Sequence, residues 1–521
     1  MRSKRGWTRR RFLTVGGVGS AALVVAGATR IVGTANASHS QGPVIASFQA
    51  PLPIPPVLNP VRSDADTDYY EIAQQEAKVE ILPGVQTTIW GYNGMFPGPT
   101  IETRRGRKVA IRQTNRLPSL GGVKAAYVCG DGQHATAQGL PVLSPADLAS
   151  ASVVHLHGGV TPSESDGFPT DLIPPGGFKD YTYPNDQRAT TLFYHDHAMN
   201  TTAYHNYMGL AGLYIVHDDV EDRLPLPKGA YDVPLILQDR SFTPDGQFLL
   251  KNDQFFADEN TILVNGAPWP HFEVAARKYR FRILNASNSR PYILALSSGK
   301  PLVQIATDGG LMAAPAPSAS IPLSPAERIQ VVIDFADYPV GSQVVLQNGN
   351  KQGQMSQVMR FDVVRKEQDD SAIPAKLADI ETLRPEQAVR TRTFVFAPLL
   401  SLAHAPYIWK INGQEFDPNR VDAMPKLGDV EIWRFVNAKL FNIHGMPHPI
   451  HMHLVNFQLL DRNNGQKPAP YETGWKDTLN VPEGEEARVI TRFEGYKGKY
   501  LLHCHNLQHE DCAMMTTFQT V

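Results

Sequence analysis

At 521 residues the chain is too long for one hydrophobic core, and about three domains are expected. Its 42% hydrophobic and 19% charged residues are those of an ordinary soluble globular protein, and three cysteines are too few for a disulfide-built scaffold. The 41 glycines and 41 prolines are spread along the chain, which favours short strands joined by turns and hence an all-β protein.

Thr8-Arg9-Arg10-Arg11-Phe12-Leu13 reads as a twin-arginine export signal. An apolar, small-residue run from Val15 to Ala28 follows, and Ala35-Asn36-Ala37 offers a small-x-small cleavage site. The run is short and glycine-rich and would span a bilayer poorly, so residues 1–37 are expected to be removed. The mature protein is then secreted, extracellular or held in the cell envelope, with no membrane segment. Seven of the 49 basic residues leave with the signal, so 42 remain against 51 acidic ones, a formal charge of −9. No basic stripe is left to suggest nucleic acid.

Residues 38–64 are rich in proline and small residues and are expected to form an extended arm. Strand-like runs follow, among them Lys78-Val-Glu-Ile-Leu, Thr87-Thr-Ile-Trp-Gly-Tyr, Lys108-Val-Ala-Ile-Arg and Leu213-Tyr-Ile-Val. Residues 130–151 break that pattern as an irregular excursion. A proline-bearing link at Leu224-Pro225-Leu226-Pro227 and a polar one from Arg365 to Asp370 divide the chain. Domains over 65–222, 223–370 and 371–521 are expected. Arg280-Phe-Arg-Ile-Leu-Asn weakly echoes Glu431-Ile-Trp-Arg-Phe-Val-Asn, as repeated domains would.

Ten of the 17 histidines fall in four tight clusters. These are His155 and His157; His195 and His197; His448, His451 and His453; and His503, His505 and His509. Two clusters lie in the first domain and two in the last. Residues two apart on a strand share a face, so four His-x-His pairs can act as pincers on one site. Eight imidazoles are too many for one metal ion and suit three.

Cys504, between His503 and His505, must point to the opposite face. His448 lies at an odd offset from His451 and His453 and would turn the same way, although Pro449 makes strict parity uncertain there. His509 and Met514 follow Cys504 by five and ten residues, within reach of a returning loop. A thiolate, two imidazoles and a thioether are the ligand set of a blue copper site, whereas structural zinc prefers four strong ligands. Cys129 and Cys512 could pair in an oxidising compartment or remain two buried thiols.

At these residues the chain resembles the multicopper oxidase family. The likeness rests on His155-Leu-His157-Gly, Tyr194-His195-Asp-His197, His448-Pro-x-His451-x-His453 and the run from His503 through Cys504, His505 and His509 to Met514. The runs His155-Leu-His-Gly-Gly-Val-Thr-Pro and Tyr194-His-Asp-His-Ala-Met are closest to the bacterial spore-coat laccase and bilirubin oxidase branch. The resemblance implies three cupredoxin-like Greek-key β-sandwiches and four copper ions. His155 and His451 would hold the type 2 copper, and His157, His195, His197, His453, His503 and His505 the type 3 pair. Cys504, His448 and His509 would bind the type 1 copper, with Met514 axial rather than Met515.

The implied activity is one-electron oxidation of small aromatic donors, each resting against the edge of His509, coupled to reduction of molecular oxygen to water. Asp166 and Glu510 match acids that deliver protons in the laccase branch; otherwise Asp166 caps a turn and Glu510 braces a ligand. Three rivals compete. A cuprous oxidase for copper resistance would carry a methionine-rich insert, absent among the 12 methionines here. A copper nitrite reductase would not need eight cluster histidines. A non-enzymatic exported cupredoxin scaffold would have lost ligands that are all present.

Overall fold

One strand pattern recurs three times along the chain. Lys108–Arg116, Lys278–Asn285 and Val430–Asn437 each run parallel to an earlier strand of their own region and antiparallel to a later one. Each has a buried asparagine at or next to its C-terminal end. Asn115 Nδ2 donates to the carbonyls of Ser150 and Ile173, Asn285 Nδ2 to those of Arg290 and Leu323, and Asn437 Nδ2 to those of Met446 and Val481. A buried carbonyl without a partner is costly, so the same side chain closes the same strand end each time. The sequence echo between residues 280 and 437 is this repeated element.

The structure, a computed structural model, describes residues 43–119, 149–250, 259–400, 407–439, 446–463 and 465–521. The export signal, Cys129 and most of the 130–151 excursion lie outside the described residues. Six sheets are present among them, two for each recurrence. The fold is all-β, with three cupredoxin-like sandwiches. Alternating side chains from the paired sheets fill each interior. Tyr70, Val109, Leu192 and Tyr194 meet in the first, Phe281, Leu294, Leu346 and Phe361 in the second, and Trp433, Val489, Ile450 and Leu502 in the third.

The arm after residue 43 joins two sandwiches by backbone hydrogen bonds. Phe48 and Leu52 N–H donate to the carbonyls of Trp269 and His271, and Leu58 N–H donates to that of Thr100. Arg62–Ser63 then pairs with Thr67–Leu82 as a short edge strand, so the extended arm ends in regular structure. Among the described residues no helix is long and apolar enough to cross a membrane.

A buried ion cluster joins the first and second sandwiches. Glu221 accepts from Arg280 at 2.5 Å and from Arg282 at 2.6 Å, and all three side chains are no more than 4% exposed. Burial alone would raise the Glu221 carboxyl, but the Arg282 and Arg280 charges outweigh it and hold it far below its usual range. This stabilisation stands above the ordinary glutamate value of 4.5 and is lost as pH falls through the depressed folded-state value. Asp232 also faces Arg280 at 3.4 Å and Arg282 at 2.8 Å, and Glu221→Ala leaves the two buried guanidiniums on that carboxylate. It is expected to cost about 3 kcal/mol, read as an earlier midpoint in guanidinium denaturation at neutral pH.

Candidate metal centre

The strand Val154–His157 pairs antiparallel with Thr190–Asp196, which sets His155 opposite His195. The strand His448–Met452 pairs antiparallel with Gly498–Cys504, which sets His451 opposite His503 and Ile450 opposite Cys504. The two sheets belong to the first and third sandwiches, and their histidines meet in one chamber. His155 stacks on His453 with ring centroids 3.9 Å apart, and His157 on His451 at 3.6 Å. His197 Nε2 and His453 Nε2 lie 3.4 and 3.2 Å from His503 Nε2.

Among the described residues, ligand atoms in this chamber lie within 4.8 Å of one another in four sets: His155, His157 and His195; His155, His451 and His453; His197, His453 and His503; His157, His451 and Asp477. His505 joins none of these sets, but its ring borders them, 4.9 Å from His157 and 5.2 Å from His195.

Hydrogen bonds decide which nitrogen each ring presents. Nδ1–H of His155, His195 and His451 donates to the carbonyls of Asp166, Asp196 and Asp477 at 2.5, 2.9 and 2.9 Å. Their Nε2 atoms have no hydrogen-bond partner. His157 is reversed: its Nε2 faces Asp477 Oδ1 and Thr478 Oγ1, both at 3.1 Å, and its Nδ1 is left without one. Both ring nitrogens of His505 also lack hydrogen-bond partners.

A buried nitrogen without a partner is expensive, and several converging in one place form a ligand shell. Burial pushes the imidazoles of His155, His157, His197, His451, His453 and His505 below their ordinary value and His195 to about 3, so these rings stay neutral with lone pairs free for a metal. The donor set fits copper.

A separate site lies at Cys504. Its Sγ is 3.3 Å from His448 Nδ1 and 3.6 Å from His509 Nδ1, and the two nitrogens are 3.2 Å apart. His448 therefore joins the cysteine despite Pro449. Burial pushes the Cys504 thiol well up, so a thiolate here requires a cation beside it. Met514 is knitted in from both sides: its N–H donates to the His509 carbonyl and its own carbonyl accepts from Cys504 N–H. Its side chain shares the buried cluster of Cys504, whereas Met515 packs with Met199, Phe416 and Leu501.

The expectation of a donor touching the edge of His509 needs correction. His509 is 0% exposed, and the Trp409 indole stacks on it with centroids 3.6 Å apart. An electron reaching this imidazole crosses the side chains around it.

Asp166 does more than cap a turn: its carbonyl holds His155 and its Oδ2 accepts from His453 Nδ1 at 2.8 Å. Gly167 follows at φ +85°, where an added Cβ would sit 2.4 Å from the Val154 carbonyl, so only glycine lets this loop reach the strand. Glu510 places its oxygens 3.4 Å from His197 Nδ1 and 3.2 Å from His503 Nδ1. Burial drives Asp166 well above the ordinary carboxylate value. Burial raises Glu510 too, but the imidazoles of His197 and His503 outweigh it and hold this acid low.

Sequence reasoning missed Asp477 and Thr478, which brace His157 and have no histidine beside them in the chain. It also missed Asp196, which accepts from Val153 N–H, Ala198 N–H and His205 Nδ1. Its position between two histidines was the available signal.

A chamber of eight histidines between two sandwiches, with a buried thiolate and two imidazoles beside it, defines a copper-dependent oxidase. The chain belongs to the multicopper oxidase family, whose models match residues 373–521 and residues 73–123 with 145–221. These regions hold all four histidine clusters. The chain is 38% identical to the laccase of Bacillus subtilis, over 90% of this chain and 97% of that protein. It is 36% identical to the bilirubin oxidase of Albifimbria verrucaria, over 90% of this chain and 81% of that one. The solved structure of the Pediococcus acidilactici laccase matches with a TM-score of 0.78 at 30% identity, covering 92% of this chain and 95% of the other. The protein is a copper-binding, laccase-like oxidoreductase that uses dioxygen as acceptor.

Proposed function

We propose that this enzyme holds four copper ions and oxidises small aromatic donors one electron at a time, reducing dioxygen to water. The observation that carries the reading is the convergence of unpartnered imidazole nitrogens behind a buried cysteine. Cys504, His448, His509 and Met514 would hold the type 1 ion. His155 and His451 would hold the type 2 ion, and His157, His195, His197, His453, His503 and His505 the type 3 pair. Copper supplies reversible one-electron chemistry at the thiolate and a place for dioxygen at the cluster.

The chain's own groups supply the rest. Cys504 is bonded through the backbone to His503 and His505, so a continuous covalent path links the thiolate to the chamber. Asp166 and Glu510 have protonation tendencies driven apart by their surroundings, which suits one to hold a proton and the other to accept one. Burial of all eight chamber rings excludes bulk water from the cluster.

Phenols, aromatic amines and bilirubin-like tetrapyrroles are the donors this reading favours, supported by the likeness to a laccase and a bilirubin oxidase. Export by the twin-arginine route is part of the same reading, supported by Thr8-Arg9-Arg10-Arg11-Phe12-Leu13 and the small-residue site at Ala35-Asn36-Ala37. The test combines elemental analysis with oxygen uptake on bilirubin, aminophenols, methoxyphenols and Cu(I). Four coppers per chain and efficient turnover of an aromatic donor are expected. Far fewer coppers, or preference for Cu(I), would refute this assignment.

A further inference from the structure

We propose that Asp477, locked by Arg328 of the middle sandwich, is the positioning residue that makes His157 present Nδ1 rather than Nε2 to the cluster. The inference rests on reading the histidine chamber as a copper site. His157 stacks on Phe193 with centroids 4.6 Å apart and on His451 at 3.6 Å. Stacking fixes the plane of an imidazole but leaves it free to flip about Cβ–Cγ, which would put Cδ2 where Nδ1 stands and Cε1 where Nε2 stands. The choice falls to the hydrogen bonds at its edge. Asp477 Oδ1 and Thr478 Oγ1, each 3.1 Å from Nε2, accept the hydrogen bond of its N–H and leave Nδ1 facing the chamber.

Asp477 serves as this acceptor only while it is held. Arg328 grips it through two contacts, Nη1 to Oδ1 at 2.7 Å and Nη2 to Oδ2 at 2.5 Å. Burial pushes the Asp477 carboxyl up and the guanidinium opposes it. The arginine is itself tied down: its N–H donates to Asp308 Oδ1, its Nε to the Thr191 carbonyl and its Nη1 to the Ala326 carbonyl. Thr191 lies on the strand that ends in His195 and Asp196, so one guanidinium touches all three sandwiches. The middle sandwich holds no ligand histidine, and this is its reach toward the cluster.

The residue after His157 was shaped for the pair. Gly158 has φ +82°, and a Cβ there would lie 2.5 Å from Arg328 Nη2 and 2.6 Å from Asp477 Oδ2. Glycine at this position leaves room for the ion pair against the ligand strand.

Asp477→Asn keeps the shape but must turn an amide N–H₂ toward either Arg328 or His157, setting donor against donor. The experiment is dialysis of copper-loaded holoenzyme against graded chelator. It reads copper per chain, the type 2 electron paramagnetic resonance signal, near-ultraviolet absorption and the blue band. Cluster copper should leave Asp477→Asn at roughly 10–100-fold lower chelator than wild type, the usual cost of losing a group that orients a ligand, while the blue band persists. Arg328→Lys should shift release less, and the double variant should behave no worse than Asp477→Asn, because both act on one contact.

The persisting blue band shows that the third sandwich remains folded. Cluster release at the wild-type chelator level would overturn the proposal, as would simultaneous loss of the blue band in both single variants. Absence of cluster copper from the wild type would instead sink the copper reading on which the proposal rests.

Discussion

Cys504→Ser is expected to bleach the blue absorption and to slow oxidation of every donor by at least about 10³-fold, on the order of 4 kcal/mol of barrier. The cysteine contributes the one thiolate of its site, with His448 and His509 completing a triangle around it. A serine hydroxyl is nearly the same size, so the buried pocket closes around it without a cavity, and the backbone bond from Cys504 N–H to the Met514 carbonyl survives. It deprotonates far less readily, and as a hard oxygen donor it does not give the thiolate's charge-transfer colour. His503 and His505 keep their places on either side, so cluster copper should remain bound. Absorption near the blue band, elemental copper and donor turnover measured on one preparation check this. A strongly blue and active variant would show that the mononuclear site lies elsewhere.

Glu510→Gln is expected to slow oxygen consumption by about 10²-fold while leaving anaerobic bleaching of the blue band by a donor at its wild-type rate. Glu510 is buried against the Nδ1 atoms of His197 and His503, which hold its carboxyl below the ordinary range despite desolvation. The amide fills the same space but neither accepts a proton nor carries the charge, and its N–H₂ group faces imidazole N–H. Oxygen reduction consumes protons whereas donor oxidation at Cys504 does not, so the two half-reactions should separate. Stopped-flow bleaching under argon compared with steady-state oxygen uptake makes the distinction, with copper content as the control for ligand loss. Equal turnover would remove Glu510 from proton delivery and leave it a brace for the two rings.

The grouping of the clustered histidines and of Cys504 was legible in the chain because strand alternation is local. His155 with His157 and His451 with His453 share faces over a few residues, and Cys504 opposes its neighbours for the same reason. The repeated strand ending in an asparagine was also present as a faint echo. Its role in clamping two carbonyls emerged only when turns distant in sequence came beside it. Asp477 and Arg328 had no such marker: they lie far from any histidine in the chain, and ordinary acids and bases recur throughout it.

Tertiary packing alone brought Arg328 and Asp477 against His157 and Gly158 and thereby chose which nitrogen faces the chamber. Packing likewise buried His509 against Trp409, closing an edge that spacing had left open to a donor. Ligand identity follows from residue type and strand parity, which the sequence carries directly. Ligand orientation and access depend on contacts between sandwiches, which exist only after the three have closed on one another.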